Sequence, residues 1–108
     1  MKGKYKAAFI LPVDTKKMLG ENGWEFNSSN RLSLQIKDLL IDVLKLKFLE
    51  NYLQIYCFIN EDIKMSVFYD DKNEIESIYF QVYNDRLTTL TDLFIASGIA
   101  NESELFIP

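Results

Sequence analysis

The chain of 108 residues contains no histidine and one cysteine, Cys57, and these two facts govern what chemistry its side chains can do. Histidine is the commonest general base near neutral pH and the commonest metal ligand. Its absence excludes Ser-His and Cys-His pairs and histidine-based zinc sites, and a single thiol cannot build a thiolate metal site. Catalysis would have to run on carboxylates, tyrosines and lysines alone. The densest carboxylate group is Asp70, Asp71, Glu74 and Glu76. Such a group could hold a divalent cation or act as an acid/base pair. Strand alternation, however, sends Asp70 and Asp71 to opposite faces, and Asp-Asp-Lys-Asn is favourable turn composition. The glycine and closing glutamate of a calcium-binding loop are missing. A turn is the stronger reading. No glycine-rich phosphate loop, nucleophile elbow or dinucleotide fingerprint occurs. No catalytic residue, cofactor site or metal site is therefore expected, and the chain reads as a non-enzyme.

What the composition offers instead is recognition. Six tyrosines are present: Tyr5, Tyr52, Tyr56, Tyr69, Tyr79 and Tyr83. Alternation sets Tyr52 and Tyr56 with Gln54 on one side of their strand, opposite Leu53, Ile55, Cys57 and Ile59. It sets Tyr79 and Tyr83 with Ser77 and Gln81, opposite Ile78, Phe80 and Val82. Ile75 and Glu76 break that pattern, so the regular part of the strand is expected from Ser77. A tyrosine-bearing polar face suits a partly wet contact surface, although rings packed beneath a helix or loop would give the same pattern. Arg86, one of two arginines, follows Asn84-Asp85 before a helical segment, where its fork could pair a carboxylate and fix the corner. Cys57, inside Tyr-Cys-Phe, reads as a small buried hydrophobe.

The elements that must position these residues centre on a meander with strands at 52–59, 63–70 and 75–83. Breaks of three and four residues leave room only for antiparallel hairpins. Residues 4–11 read as a further strand ended by Pro12. Residues 15–19 read as a single helical turn, followed by turn chemistry at Gly20-Glu-Asn-Gly23. Residues 23–36 alternate as a second hairpin around the polar tetrad 27–30, with a helix starting at Ser28 or Ser29 as the competing reading, so 28–37 stay open between strand and helix. Residues 38–50 carry an apolar helical stripe, Leu39, Leu40, Val43 and Leu44, although 44–48 also alternate like a strand. Residues 86–98 form a second helix, with Thr89 and Asp92 resembling a capping box and Gly98 closing it. Residues 104–108 finish as an extended segment packed on the sheet. The expected fold class is α+β: an antiparallel sheet, built from the meander and N-terminal strands, with two main helices on one face.

An apolar content of 48% and a charged content of 26% are those of a folded domain, and residues 1–108 read as one domain. The short apolar run before Asp14 is not a secretory signal, and no stretch approaches the ~20 apolar residues that cross a bilayer. A cytoplasmic location without membrane association is expected. Charge is uneven: residues 1–20 carry net +4, residues 21–49 balance, and residues 50–108 carry net −8. That asymmetry favours a basic partner, though acidity also serves solubility. An overall charge of −4 disfavours direct nucleic-acid binding.

The segment IESIYFQVYNDRLTTLTDLFIASGIANESELFIP, from Ile75 to the end, has a strand, then Asn-Asp-Arg at 84–86, a short helix and an apolar tail, and Trp24 lies in an early hairpin. Over this last third the chain is similar to small cytoplasmic immunity proteins of bacterial polymorphic and contact-dependent growth inhibition toxins. The resemblance implies a stoichiometric inhibitor of one cognate toxin domain, and carries over no functional residue position by position. Many such toxins attack nucleic acids through basic clefts, so a basic partner, a nuclease among the options, would meet an acidic surface. The candidate partner-binding residues are Glu61, Asp62, Asp70, Asp71, Glu74, Glu76, Tyr79 and Tyr83. Two other readings stay open: a phage-type inhibitor or nucleic-acid mimic, with carboxylates spaced like a duplex, and a small ligand-binding α+β domain, with a deep pocket. Oligomeric state is not legible.

Overall fold

The computed structural model describes residues 4–108. In chain order the elements are β1 (Lys6–Pro12), β2 (Lys16–Gly20), β3 (Gly23–Asn27), α1 (Leu34–Val43), β4 (Lys47–Tyr52), β5 (Ile55–Ile59), β6 (Ile63–Tyr69), β7 (Ile75–Val82), α2 (Leu87–Ala96), a 3-10 turn (Ile99–Asn101) and β8 (Ser103–Phe106). Six strands form one sheet in the order β4-β5-β6-β7-β1-β8, antiparallel throughout, while β2 and β3 pair as a separate hairpin. The fold is α+β, as expected. Among the described residues no helix is long and apolar enough to cross a membrane.

The expected meander is β5-β6-β7, except that its first strand, expected from Tyr52, begins at Ile55 because residues 53–54 turn back to β4, and its polar breaks are closed by their own side chains. Asn60 Oδ1 accepts from the backbone N–H of Asp62 (2.8 Å) and of Ile63 (2.7 Å). Asp70 Oδ1 accepts from the N–H of Lys72 (2.8 Å) and of Glu74 (2.9 Å). Both are Asx turns, the local competition with ladder bonding that places Asn and Asp at strand ends. The irregular start of β7 is a bulge: Phe68 pairs with Ser77 and Tyr69 with Ile75, leaving Glu76 without an opposite residue. The extra residue resets the alternation, so Ile75 faces inward like Ile78 and both are fully buried.

Alternation along the central strands builds the core. Ala8 and Ile10 of β1, Met65 and Val67 of β6, and Ile78, Phe80 and Val82 of β7 form one cluster with Ile36 and Leu40 of α1 and Leu90 and Phe94 of α2. Both helices thus cover the same face. Each of these side chains other than Ala8 contributes about 1.5–3 kcal/mol by leaving water, which outweighs the weak propensity of two ten-residue helices that would not persist alone. The C-terminal segment adds to β1 as β8, pairing Phe9 with Phe106 and Pro12 with Ser103.

Four local expectations are corrected. Residues 15–19 are not a helical turn but strand β2, paired with β3 through Leu19 opposite Trp24 and Gly20 opposite Gly23. The 23–36 hairpin does not form, nor does a helix from Ser28 or Ser29: β3 pairs backward, and α1 starts at Leu34 behind Ser33, whose hydroxyl accepts from Ile36 N–H at 3.4 Å. The helix expected over 38–50 stops at Val43, and the next segment is strand β4. The Thr89–Asp92 pair does not cap α2, which begins at Leu87 with no side-chain cap. Gly98, at φ +82°, follows that helix in the left-handed region as expected.

Candidate protein-binding surface

The eight candidate residues divide among three places. Glu61 and Asp62 lie in the β5–β6 turn, while Asp70, Asp71, Glu74 and Glu76 lie at the opposite ends of β6 and β7. The seven residues of β6 separate these groups by roughly 20 Å at the usual strand rise. Tyr83 sits at the Asp62 end, its N–H donating to the Asp62 carbonyl at 2.7 Å. Tyr79 lies between the two ends, on the sheet face away from the helices. The acidic margin expected as one surface is therefore two separate patches.

At the first end Asp62 has a structural task. Its carboxylate accepts from Asn84 Nδ2 at 2.7 Å and pairs with Arg86 Nε at 3.2 Å. Asn84 and Asp85 both have positive φ, at +55° and +57°. The strand-to-helix corner is thus a tight left-handed turn tied to the neighbouring hairpin by Arg86, the role its position implied.

Tyr79 is partly covered. Its ring lies 4.9 Å from Phe9, whose other neighbours are Phe26 of the β2–β3 hairpin at 4.8 Å and Phe106 at 6.2 Å. Trp24 meets Phe106 edge-on at 4.8 Å. The hairpin therefore closes over the β1–β8 side of the outer face through aromatic contacts. Burial, then the bond to the Tyr5 hydroxyl, pushes the Tyr79 phenol up to about 12, while hydrogen bonding to Tyr79 and Gln81 lowers that of Tyr5. The Tyr5 ring also lies tilted against that of Tyr83, their centroids 5.8 Å apart. Tyr79 and Tyr83 do not stand beside the acidic group at the other end of the sheet.

The tyrosine face also differs from its expected composition. Cys57 pairs with Ser66, and Ser66 with Tyr79, so Ile55, Cys57 and Ile59 share the outer face with Ser77, Tyr79 and Gln81. Tyr56 pairs with Val67, and Val67 with Ile78, which puts Tyr56 on the helix-bearing side. Cys57 is buried as expected, with its sulfur 3.5 Å from the Ser66 hydroxyl.

The second end holds the densest assembly of exposed groups. Asp70 accepts from Arg31 Nε at 2.8 Å, and Arg31 Nη1 donates to the carbonyls of Ser28 (2.9 Å) and Asn30 (2.8 Å). The hydrogen bond from Arg31, followed by the turn N–H groups, holds the Asp70 carboxyl below the usual aspartate range. Asp70 is thus occupied as a turn and tether, while Asp71, Glu74 and Glu76 stay on the surface. Against them lies the two-residue β4–β5 turn, Leu53-Gln54. The Gln54 carbonyl accepts from Tyr69 N–H at 3.0 Å, and Gln54 Nε2 donates to the Asp70 carbonyl at 3.2 Å. Tyr56 meets Tyr69 edge-on at 5.3 Å. This brings the β4–β5 tip, with Leu53 (77% exposed), beside the acidic turn, flanked by Tyr52 (69%) on the outer face and Tyr56 (39%) on the helix-bearing face, not on one face as expected.

An open groove of about 420 Å³ crosses the outer face here, walled by Phe26 and Leu53, with Ile55 and Phe68 on its floor and Arg31 and Glu76 at its rim. Among the described residues no three acidic or cysteine side chains converge as a metal-ligand set. Tyr52, Leu53, Tyr56 and Tyr69 were not among the candidates. The alternation of 44–48 was the signal that could have found them, because only a strand there turns Leu53-Gln54 into a hairpin tip. Comparison with protein-family models, with curated proteins and with solved structures finds no match.

Proposed function

We propose that this chain is a protein-binding inhibitor of the immunity type, neutralising a cognate bacterial toxin domain by stoichiometric binding. The observation that carries the reading is the sheet end at which exposed Tyr52, Leu53 and Tyr56 adjoin Asp71, Glu74 and Glu76. Tyrosine rings provide large contact area at low entropic cost and are enriched at binding hot spots. Surrounding carboxylates attract a basic partner and accelerate encounter. The location that goes with this role is the cytoplasm.

Mimicry of nucleic acid is less well supported, because the carboxylates divide between two ends of the sheet instead of running in spaced rows. A small-ligand role is also less well supported, since the groove is open to solvent and Arg31 at its rim is already engaged by Asp70, Ser28 and Asn30.

Co-expression with the toxin domain encoded beside this chain's gene tests the proposal. Growth protection together with a 1:1 complex in titration calorimetry is the expected result. A neighbourhood without a toxin domain, or a toxin domain against which the chain gives no protection, overturns it.

A further inference from the structure

Among the described residues, six other than glycine have positive φ: Asp14, Lys45, Leu53, Asn73, Asn84 and Asp85. Four are Asn or Asp, whose short polar side chains tolerate the left-handed region. Lys45 follows a helix end, where that conformation closes the last turn. Leu53, at φ +54°, has no such reason. A bulky side chain is disfavoured in this region, and this one is also 77% exposed, so folding gains little from it in return. Asparagine or glycine would make the same two-residue turn with less strain. A strained, exposed leucine at a hairpin tip therefore points to a use outside the fold.

We infer that Leu53 is the anchor of the binding surface, inserted into an apolar recess of the partner whose rim carries lysine or arginine side chains. This rests on the protein-inhibitor reading above and names the chemistry of its partner. Leu53 projects from the tip, with Tyr52 on one face of the sheet and Tyr56 on the other giving rigid contact area on either side of it. The bond from Gln54 to the Asp70 carbonyl fixes this tip to the acidic turn, where Asp71 and Glu74 meet the cationic rim. The cations near Asp70, Asp71, Glu74 and Glu76 are Lys72 and Arg31, and Arg31 is committed to Asp70. The surface thus keeps negative charge for a basic partner. An anchor surrounded by aromatic and charged groups is the arrangement in which one side chain carries much of the binding energy.

The test measures thermal stability and affinity for the neighbouring toxin domain with Leu53→Gly, Leu53→Met and, as a control at an equally exposed site, Ile95→Ala. Leu53→Gly is expected to raise Tm by a few degrees and weaken binding by at least about tenfold. Leu53→Met keeps binding within about threefold, and Ile95→Ala leaves it unchanged. If Leu53→Gly binds as tightly as wild type, the anchor is wrong while the inhibitor reading stands. If wild type itself fails to bind, the inhibitor reading falls and the anchor with it. A fall in Tm for Leu53→Gly would make the leucine structural. Loss of a homodimer as the only effect would make a second copy the occupant. Either result overturns the inference.

Discussion

Asp70 shows how one residue can look functional and prove structural. As the first of four nearby carboxylates it invited a binding role, yet its Oδ1 serves two turn N–H groups and its Oδ2 serves Arg31. The composition Asp-Asp-Lys-Asn made the turn legible, whereas the partner thirty-nine residues earlier was not. The folded state favours the ionised form of Asp70, because Arg31 hydrogen-bonds the carboxylate and lowers its pKa. Its contribution is therefore complete above the ordinary aspartate range and is lost as pH falls through the lowered folded value. Between about pH 6 and about pH 3 the thermal midpoint of wild type should fall more than that of Asp70→Asn. Equal slopes in scanning calorimetry would show that Arg31 does not hold the carboxylate in solution. Asp62 at the other turn is likewise tied down by side chains distant in sequence, accepting from Asn84 and Arg86.

At the scale of elements, the end of α1 decides where the exposed surface can form. The helix closes in a Schellman arrangement: Leu46 N–H donates to the Ile41 carbonyl at 2.9 Å and Lys45 N–H to that of Asp42 at 3.3 Å. Asn60 Nδ2 adds a bond to the Leu44 carbonyl at 2.8 Å. Buried Leu46 is the apolar contact that accompanies this motif. The residue usually found at the left-handed position is glycine, and here it is Lys45 at φ +54°, which is why composition alone carried the helix on to Glu50. Lys45→Gly should remove strain while keeping both bonds, stabilising the fold by about 1 kcal/mol in denaturant unfolding. A destabilisation of similar size would mean that the lysine stem contributes packing that outweighs the strain. The segment after this stop alternates because it is a strand, and β4 then presents Tyr52 and Leu53 at the margin of the sheet.

For the molecule as a whole, topology divides the charge. Consecutive hairpins send the 61–62 and 70–76 carboxylates to opposite ends, so only the second group adjoins the β4–β5 tip. Reversing Asp71, Glu74 and Glu76 to lysine should slow association with the proposed basic partner by about tenfold or more, and the loss should shrink as salt rises. Glu61→Lys, at the far end, should change the rate little. Equal effects of the two sets in stopped-flow measurements would return the binding surface to the whole acidic margin.

Period-two alternation with Asx turns determined the meander, and apolar stripes determined that two helices cover one side of it, because both signals are local and repeat within a few residues. Composition likewise removed histidine and paired-thiol chemistry and left carboxylates and tyrosines as abundant polar groups. Tertiary structure alone decided which of those groups meet. The pairing of Phe9 with Tyr79 on one side and Phe106 on the other, and the Arg31–Asp70 bond, join residues distant in sequence. Tyr52, opposite Ile55, shares the outer face with Tyr79, so their places along the sheet decide which of them stands beside the acids, while register decides which face each strand turns outward. A bulge of one residue or a helix ending seven residues early resets that face, and neither leaves a mark in composition.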